Sequence, residues 1–164
     1  MTRVVQLALL VVFVVAGAAG ASARPAAAAI GPCKQDETRR TAFEFARAWT
    51  RGDVAAINRL VAPEPHFRWV SASPPGGRSG PRAFDRPSLG AFIRVRHAQH
   101  ERLTLTSFKF NGSDLRGTEG FGHFEFKATR DSDDWPAEMD TLRVGKGAVI
   151  CTLARPMIAV WSLG

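Results

Sequence analysis

The stretch Phe43-Glu44-Phe45-Ala46-Arg47-Ala48-Trp49-Thr50-Arg51-Gly52-Asp53-Val54-Ala55-Ala56-Ile57-Asn58-Arg59-Leu60-Val61-Ala62-Pro63 decides the fold. Ala42, Phe45, Ala46 and Trp49 recur at i, i+3, i+4 and i+7, which puts them on one apolar stripe of a helix. Gly52 can take the left-handed conformation that closes such a helix, and Asp53 can accept a backbone N–H as the cap of the next. The second helix presents Val54, Ile57, Leu60 and Val61 on one side and stops at Pro63. His66-Phe67-Arg68-Trp69-Val70 follows at once as a strand. Two short helices that feed directly into a strand predict a lid over a curved sheet.

Toward the N-terminus, Arg3 precedes a continuous apolar run from Val4 to Ala19, and Ala21-Ser22-Ala23 supplies a small-residue cleavage pattern. Residues 1–23 therefore read as a signal peptide cut before Arg24. The run is short for a spanning helix, so contact with a membrane is expected only through this leader. Cys33 follows Ile30-Gly31-Pro32, which does not fit a lipoprotein anchor. The expected location is extracellular or in the cell envelope. Residues 24–35 read as an N-terminal linker and 36–164 as one domain, since about 140 residues support a single core. Within that domain, Ser73-Pro74-Pro75-Gly76-Gly77-Arg78-Ser79-Gly80-Pro81 is too rich in Pro and Gly for regular structure.

The net charge is +7, and almost all of the positive charge is arginine, with lysine only at positions 34, 109, 127 and 146. Arginine forks bind phosphate and carboxylate, but here the basic residues are scattered through every segment rather than gathered in a run. Nucleic acid is not an expected partner; a mild attraction to an anionic envelope is. The abundance of Arg with Ala and Gly also matches GC-rich coding.

An exported chain with two cysteines predicts a bridge between Cys33 and Cys151, with unpaired thiols as the alternative. Nothing beside Cys151 would lower its pKa, which argues against a thiol nucleophile. A third helix is expected from Pro87-Ser88 to about Glu101, with Leu89, Phe92, Ile93, Arg96, His97 and His100 on its inner side. Arg102–Phe110 reads as a strand ended by Asn111-Gly112. Its alternation slips near Ser107, which predicts a bulge with Leu103 and Leu105 on one face and Phe108 and Phe110 on the other. Gly120–Thr129 alternates cleanly, with Phe124, Phe126 and Ala128 facing one way and His123, Glu125 and Lys127 the other. A polar loop follows over Arg130–Asp140. Gly147–Leu153 and Met157–Ser162 complete an α+β domain with an antiparallel sheet.

The helix pattern with Trp49, Gly52-Asp53 and Leu60-Val61-Ala62, the strand after it, the third helix and the closing strands resemble the nuclear transport factor 2-like (NTF2-like) superfamily. The resemblance covers residues 36–164. It implies three helices on a strongly curved sheet, forming a cone with an apolar pocket. The ending from Gly145-Lys146-Gly147-Ala148 to Ile158-Ala159-Val160-Trp161-Ser162 is similar to exported bacterial members without known activity. The superfamily includes isomerases, dehydratases, cyclases and binding proteins, so it implies fold better than function. Its isomerase-like members carry a catalytic acid in the strand after the second helix. The matching place here holds Arg68-Trp69-Val70, and no tyrosine exists to serve as oxyanion donor.

The remaining candidates are few. His97 and His100, one turn apart with Glu101 beside them, could supply a base if the chain is an enzyme. His66 and His123 do not complete metal-ligand spacing with them, and neither a metal nor a cofactor is expected. Asp131-Ser132-Asp133-Asp134 lacks the glycine and bidentate glutamate of a calcium loop and reads as a solvated hairpin loop. Gly145-Lys146-Gly147 reads as a turn, and Asp53 as a helix cap. Trp49, Trp69, Phe92, Phe124, Phe126 and Trp161 could line a pocket for a small apolar ligand or simply fill the core. The leading expectation is an exported, non-catalytic binding protein for such a ligand or an envelope partner. The alternatives are a cyclase-, dehydratase- or isomerase-type enzyme using His97 or His100, and an oligomerising module that forms a homodimer through the outer sheet face.

Overall fold

The computed structural model describes residues 33–72, 85–135, 141–151 and 155–164. The expected leader, nearly all of the linker and the Pro/Gly-rich segment at 73–81 lie outside these residues. Three helices and five strands follow in the order α1 Gln35–Thr50, α2 Val54–Leu60, β1 Arg68–Ser71, α3 Arg86–Ala98, β2 Arg102–Arg116, β3 Glu119–Asp131, β4 Leu142–Cys151 and β5 Pro156–Leu163.

The α1 stripe is buried as its spacing requires, with Ala42, Phe45, Ala46 and Trp49 all in the core. Asp36 and Glu37 in the first turn and Arg47 in the last oppose the helix dipole with the favourable sign. Gly52 takes φ +64°, and the Asp53 carboxylate accepts the Ala56 N–H at 2.8 Å to start α2. A Cβ on Gly52 would fall 2.5 Å from the His97 ring, so this hinge also gives α3 its seat. Asp85 caps α3 by accepting the Ser88 N–H at 2.7 Å. That helix ends at Ala98, short of the expected Glu101. His100 lies beyond it at φ +51°.

The helices pack on one face of a sheet ordered β1-β5-β4-β3-β2. β2, β3, β4 and β5 pair antiparallel, but β1 pairs parallel with β5, so the sheet is mixed rather than wholly antiparallel. Parallel neighbours need a long connection, which the chain from α3 through β4 supplies.

β2 carries a bulge between Leu105 and Ser107, where the slipped alternation placed it. The expected change of face does not follow. The extra residue resets the alternation, and Phe108 and Phe110 pack against the same core as buried Leu103 and Leu105. Asn111-Gly112 is a second bulge and not the strand's end; Gly112 takes φ +107°.

Gly145-Lys146-Gly147 lies within β4 rather than in a turn. Gly145 stands opposite Phe126 and Gly147 opposite Phe124 across the β3–β4 ladder. A Cβ at either glycine would fall 2.1 or 2.2 Å from the facing ring. Each phenyl ring therefore covers bare backbone, which is why small residues alternate with Lys146 here.

Cys33 and Cys151 are joined in a disulfide that ties the start of α1 to the end of β4, 118 residues away. Loop-closure entropy for a span of this size is about 4–5 kcal/mol. Replacing both cysteines by serine should therefore lower the denaturation midpoint strongly, and thiol titration of the unreduced, unfolded protein should find no free thiol. Gly145→Ala should cost about 1–3 kcal/mol by overpacking. In urea unfolding, Phe126→Leu should recover part of that loss in the double variant; purely additive effects would mean the ring is not the obstacle.

Candidate functional site

Six aromatic residues singled out in the sequence meet under the helices. Trp161 of β5 lies 4.5 Å from Phe126 and 6.4 Å from Phe124 of β3, centroid to centroid. Phe92 of α3 bridges Trp49 of α1 at 5.7 Å and Trp69 of β1 at 4.9 Å. Phe45 joins the two groups, 4.4 Å from Trp161 and 6.1 Å from Trp49. All are buried, and these separations are those of packed aromatic pairs. The three indoles differ in polarity satisfaction. Trp49 Nε1 donates to Glu101 at 2.7 Å, and Trp69 Nε1 donates to Ser88 Oγ at 3.3 Å. Among the described residues Trp161 Nε1, in a residue 0% exposed, has no hydrogen-bond partner.

Beside the aromatic group lies a charged network that the sequence reading did not assemble. Glu101, 1% exposed, accepts from Trp49 through Oε1; its Oε2 accepts from Arg96 Nε at 2.5 Å and Arg130 Nη2 at 3.0 Å. Arg96 then forks onto Asp134, both contacts at 2.7 Å, and donates to Ser132 Oγ at 2.7 Å. Arg130 donates to Ser71 Oγ at 3.0 Å and to the Ala72 carbonyl. Two guanidinium groups and two carboxylates balance, as buried charge requires. Burial pushes the Arg130 guanidinium below its usual value, against the pull of Glu101. For Arg96 burial acts in the same downward sense, but the bonds to Asp134 and Glu101 outweigh it and hold the group above its usual value. The Arg96 fork holds the Asp134 carboxyl down at about 2.

The loop after β3 is thus not merely solvated: Ser132 is buried and Asp134 is docked on α3. A signal for this was present. Arg130 continues the inward series Phe124, Phe126, Ala128, and an inward arginine must find a carboxylate.

The histidines stand elsewhere. His97 and His100 are exposed rather than inward. His97 lies against Gly52, and His100 Nδ1 is 2.6 Å from Asp133 Oδ2 at the surface. His123 Nε2 is 2.9 Å from Asp114 and His66 Nδ1 is 4.0 Å from Glu119, both on the far side of the sheet from the helices. Among the described residues no three His, Cys, Asp or Glu side chains gather as a metal site.

No protein-family profile and no curated sequence matches the chain. Solved structures do. A proposed dehydratase of the NTF2-like family from Streptomyces avermitilis superposes with a TM-score of 0.55 at 14% identity, covering 78% of this chain and 92% of that one. The fold is NTF2-like. A protein of unknown function from the DUF3225 family of Pectobacterium atrosepticum gives 0.56 at 13% identity, with 79% and 88% covered. The β subunit of the benzoate 1,2-dioxygenase from Burkholderia mallei gives 0.53 at 9% identity, with 81% and 91% covered. Such identities establish shared architecture and leave the chemistry to the residues.

Asp134 titrates near 2 when folded and near 3.9 when unfolded, so protons bind the unfolded chain more readily. Its contribution is complete above about pH 4 and disappears as the pH falls toward 2. Asp134→Asn should flatten that acid limb in stability measurements across pH. Glu101→Gln, which leaves two buried guanidinium groups short of a counter-charge, should cost about 3–5 kcal/mol in urea unfolding.

Proposed function

We propose that this chain is an exported, non-catalytic binding protein that holds a small, largely apolar ligand bearing one hydrogen-bond acceptor in its aromatic interior. The observation that carries the proposal is Trp161: a buried indole N–H with no acceptor among the described residues, surrounded by Phe45, Phe124 and Phe126. An unpaired buried donor costs about 1–3 kcal/mol, and a carbonyl or ether oxygen entering the aromatic group would remove that cost. Such a ligand would have to part rings that are now in contact. Export is supported by the leader-like residues 1–23 and by the Cys33–Cys151 disulfide.

The enzyme reading is less well supported by the site. A proposed dehydratase and a dioxygenase β subunit are among the structural neighbours, but the described interior offers no free acid or base. By the resemblance read from the sequence, Trp69 falls where an isomerase-like member would be expected to carry its acid. Both oxygens of Glu101 are already engaged by donors, so it cannot accept a substrate proton without breaking the network. His97 and His100 are exposed on the outside.

Tryptophan fluorescence titration with a panel of ketones, esters and matched hydrocarbons tests the proposal. Carbonyl ligands should quench saturably, and Trp161→Phe should weaken them roughly tenfold while leaving hydrocarbons unaffected. No saturable ligand, or turnover of any binder that His97→Ala with His100→Ala abolishes, would overturn it.

A further inference from the structure

The sheet face away from the helices carries a second feature, independent of the aromatic interior. Strand register sets Lys109 of β2, Glu125 of β3, Lys146 of β4 and Ser162 of β5 in one row across that face. The next row holds Ser107, Lys127 and Val144. Between them runs a groove of about 600 Å³, a volume in the range of small-ligand sites.

The lysines are not randomly placed. Lysine occurs at four positions in a chain with eighteen arginines, and three of the four line this groove. Lys146 Nζ is 3.7 Å from the Glu125 carboxylate. Among the described residues, Lys109 and Lys127 have no carboxylate partner. They are diagonal neighbours on adjacent strands, roughly 7 Å apart at the backbone, where like charges oppose folding. Counting Glu125, the three ammonium groups still leave a positive surplus. The groove is not purely polar. Val144 stands 65% exposed inside it, beside backbone at Gly145 and Gly164 that carries no side chain. Lysine stems add apolar surface below their charged ends.

We propose that this groove binds an amphipathic anion, a carboxylate or phosphate monoester with an aliphatic body. The charged head would lie between Lys109 and Lys127, where it relieves their repulsion, and the body would cover Val144. A simple inorganic anion would leave the valine in water.

Isothermal titration of the full protein with decanoate, decyl phosphate, decanol and inorganic phosphate, below micelle concentrations, tests this. Decanoate and decyl phosphate should bind saturably at one site, the tighter of the two showing whether a fatty carboxylate or a phosphate ester is the source. Lys109→Ala with Lys127→Ala should weaken both roughly tenfold or more, as should raising ionic strength well above physiological. Trp161→Phe should change neither, which separates this site from the aromatic interior. Decanol binding as tightly as decanoate, or binding that survives loss of both lysines, would overturn the proposal. So would inorganic phosphate binding as tightly as decyl phosphate, or a stable dimer in light scattering that hides the groove.

Discussion

A carboxylate closed off from water among two guanidinium groups and an indole holds the layers of this protein together. Glu101 lies in the short link between α3 and β2, yet its partners come from α1, α3 and β3. Arg130 passes the connection on to Ser71 at the end of β1, and Arg96 passes it to the loop beyond β3. Hydrophobic contact is non-directional and could tolerate a sliding of helices over the sheet. A buried network with fixed donor and acceptor geometry does not, because any shift leaves charge unsatisfied. The aromatic group depends on that fixation: Trp49 is held by its indole N–H and sets where Phe92 and, through it, Trp69 can lie.

The helical half of the fold was legible because its signals are local. The Trp49 stripe, the Gly52 turn and the Asp53 cap each need only a few neighbouring residues, and all three are present as read. The bulge at Ser107 was legible too, but its effect was not. Period counting assumes a fixed pleat, whereas an inserted residue returns Phe108 to the core side. Features that depend on pairing across the sheet were hidden. Gly145-Lys146-Gly147 resembles a turn until Phe124 and Phe126 are known to lie opposite. The parallel partner of β1 lies at the other end of the chain. Arg130 and Asp134 looked solvated because their partners, Glu101 and Arg96, lie 29 and 38 residues away in the chain.

On an NTF2-like scaffold, function depends on which side chains are left free to act. Proton-transfer enzymes on any fold need a carboxylate or imidazole free to exchange a proton within reach of substrate. Here the buried carboxylate is committed to structure and the imidazoles are committed to surface contacts. Among the described residues, the buried charges of this fold serve cohesion.

Strand order has a consequence for how the chain reaches this state. β5 is formed by the last residues of the sequence, yet it lies inside the sheet between β1 and β4, and it carries Trp161 into the middle of the core. Until those residues have left the ribosome, β1 has no strand to pair with and β4 has an open edge. Helices α1 and α2 can form early, and β2 can meet α1, but the part of the floor that β5 supplies is missing. The high sequence separation of these closing contacts makes folding slow and late. During synthesis the sheet therefore stays unsealed until β5 has been made.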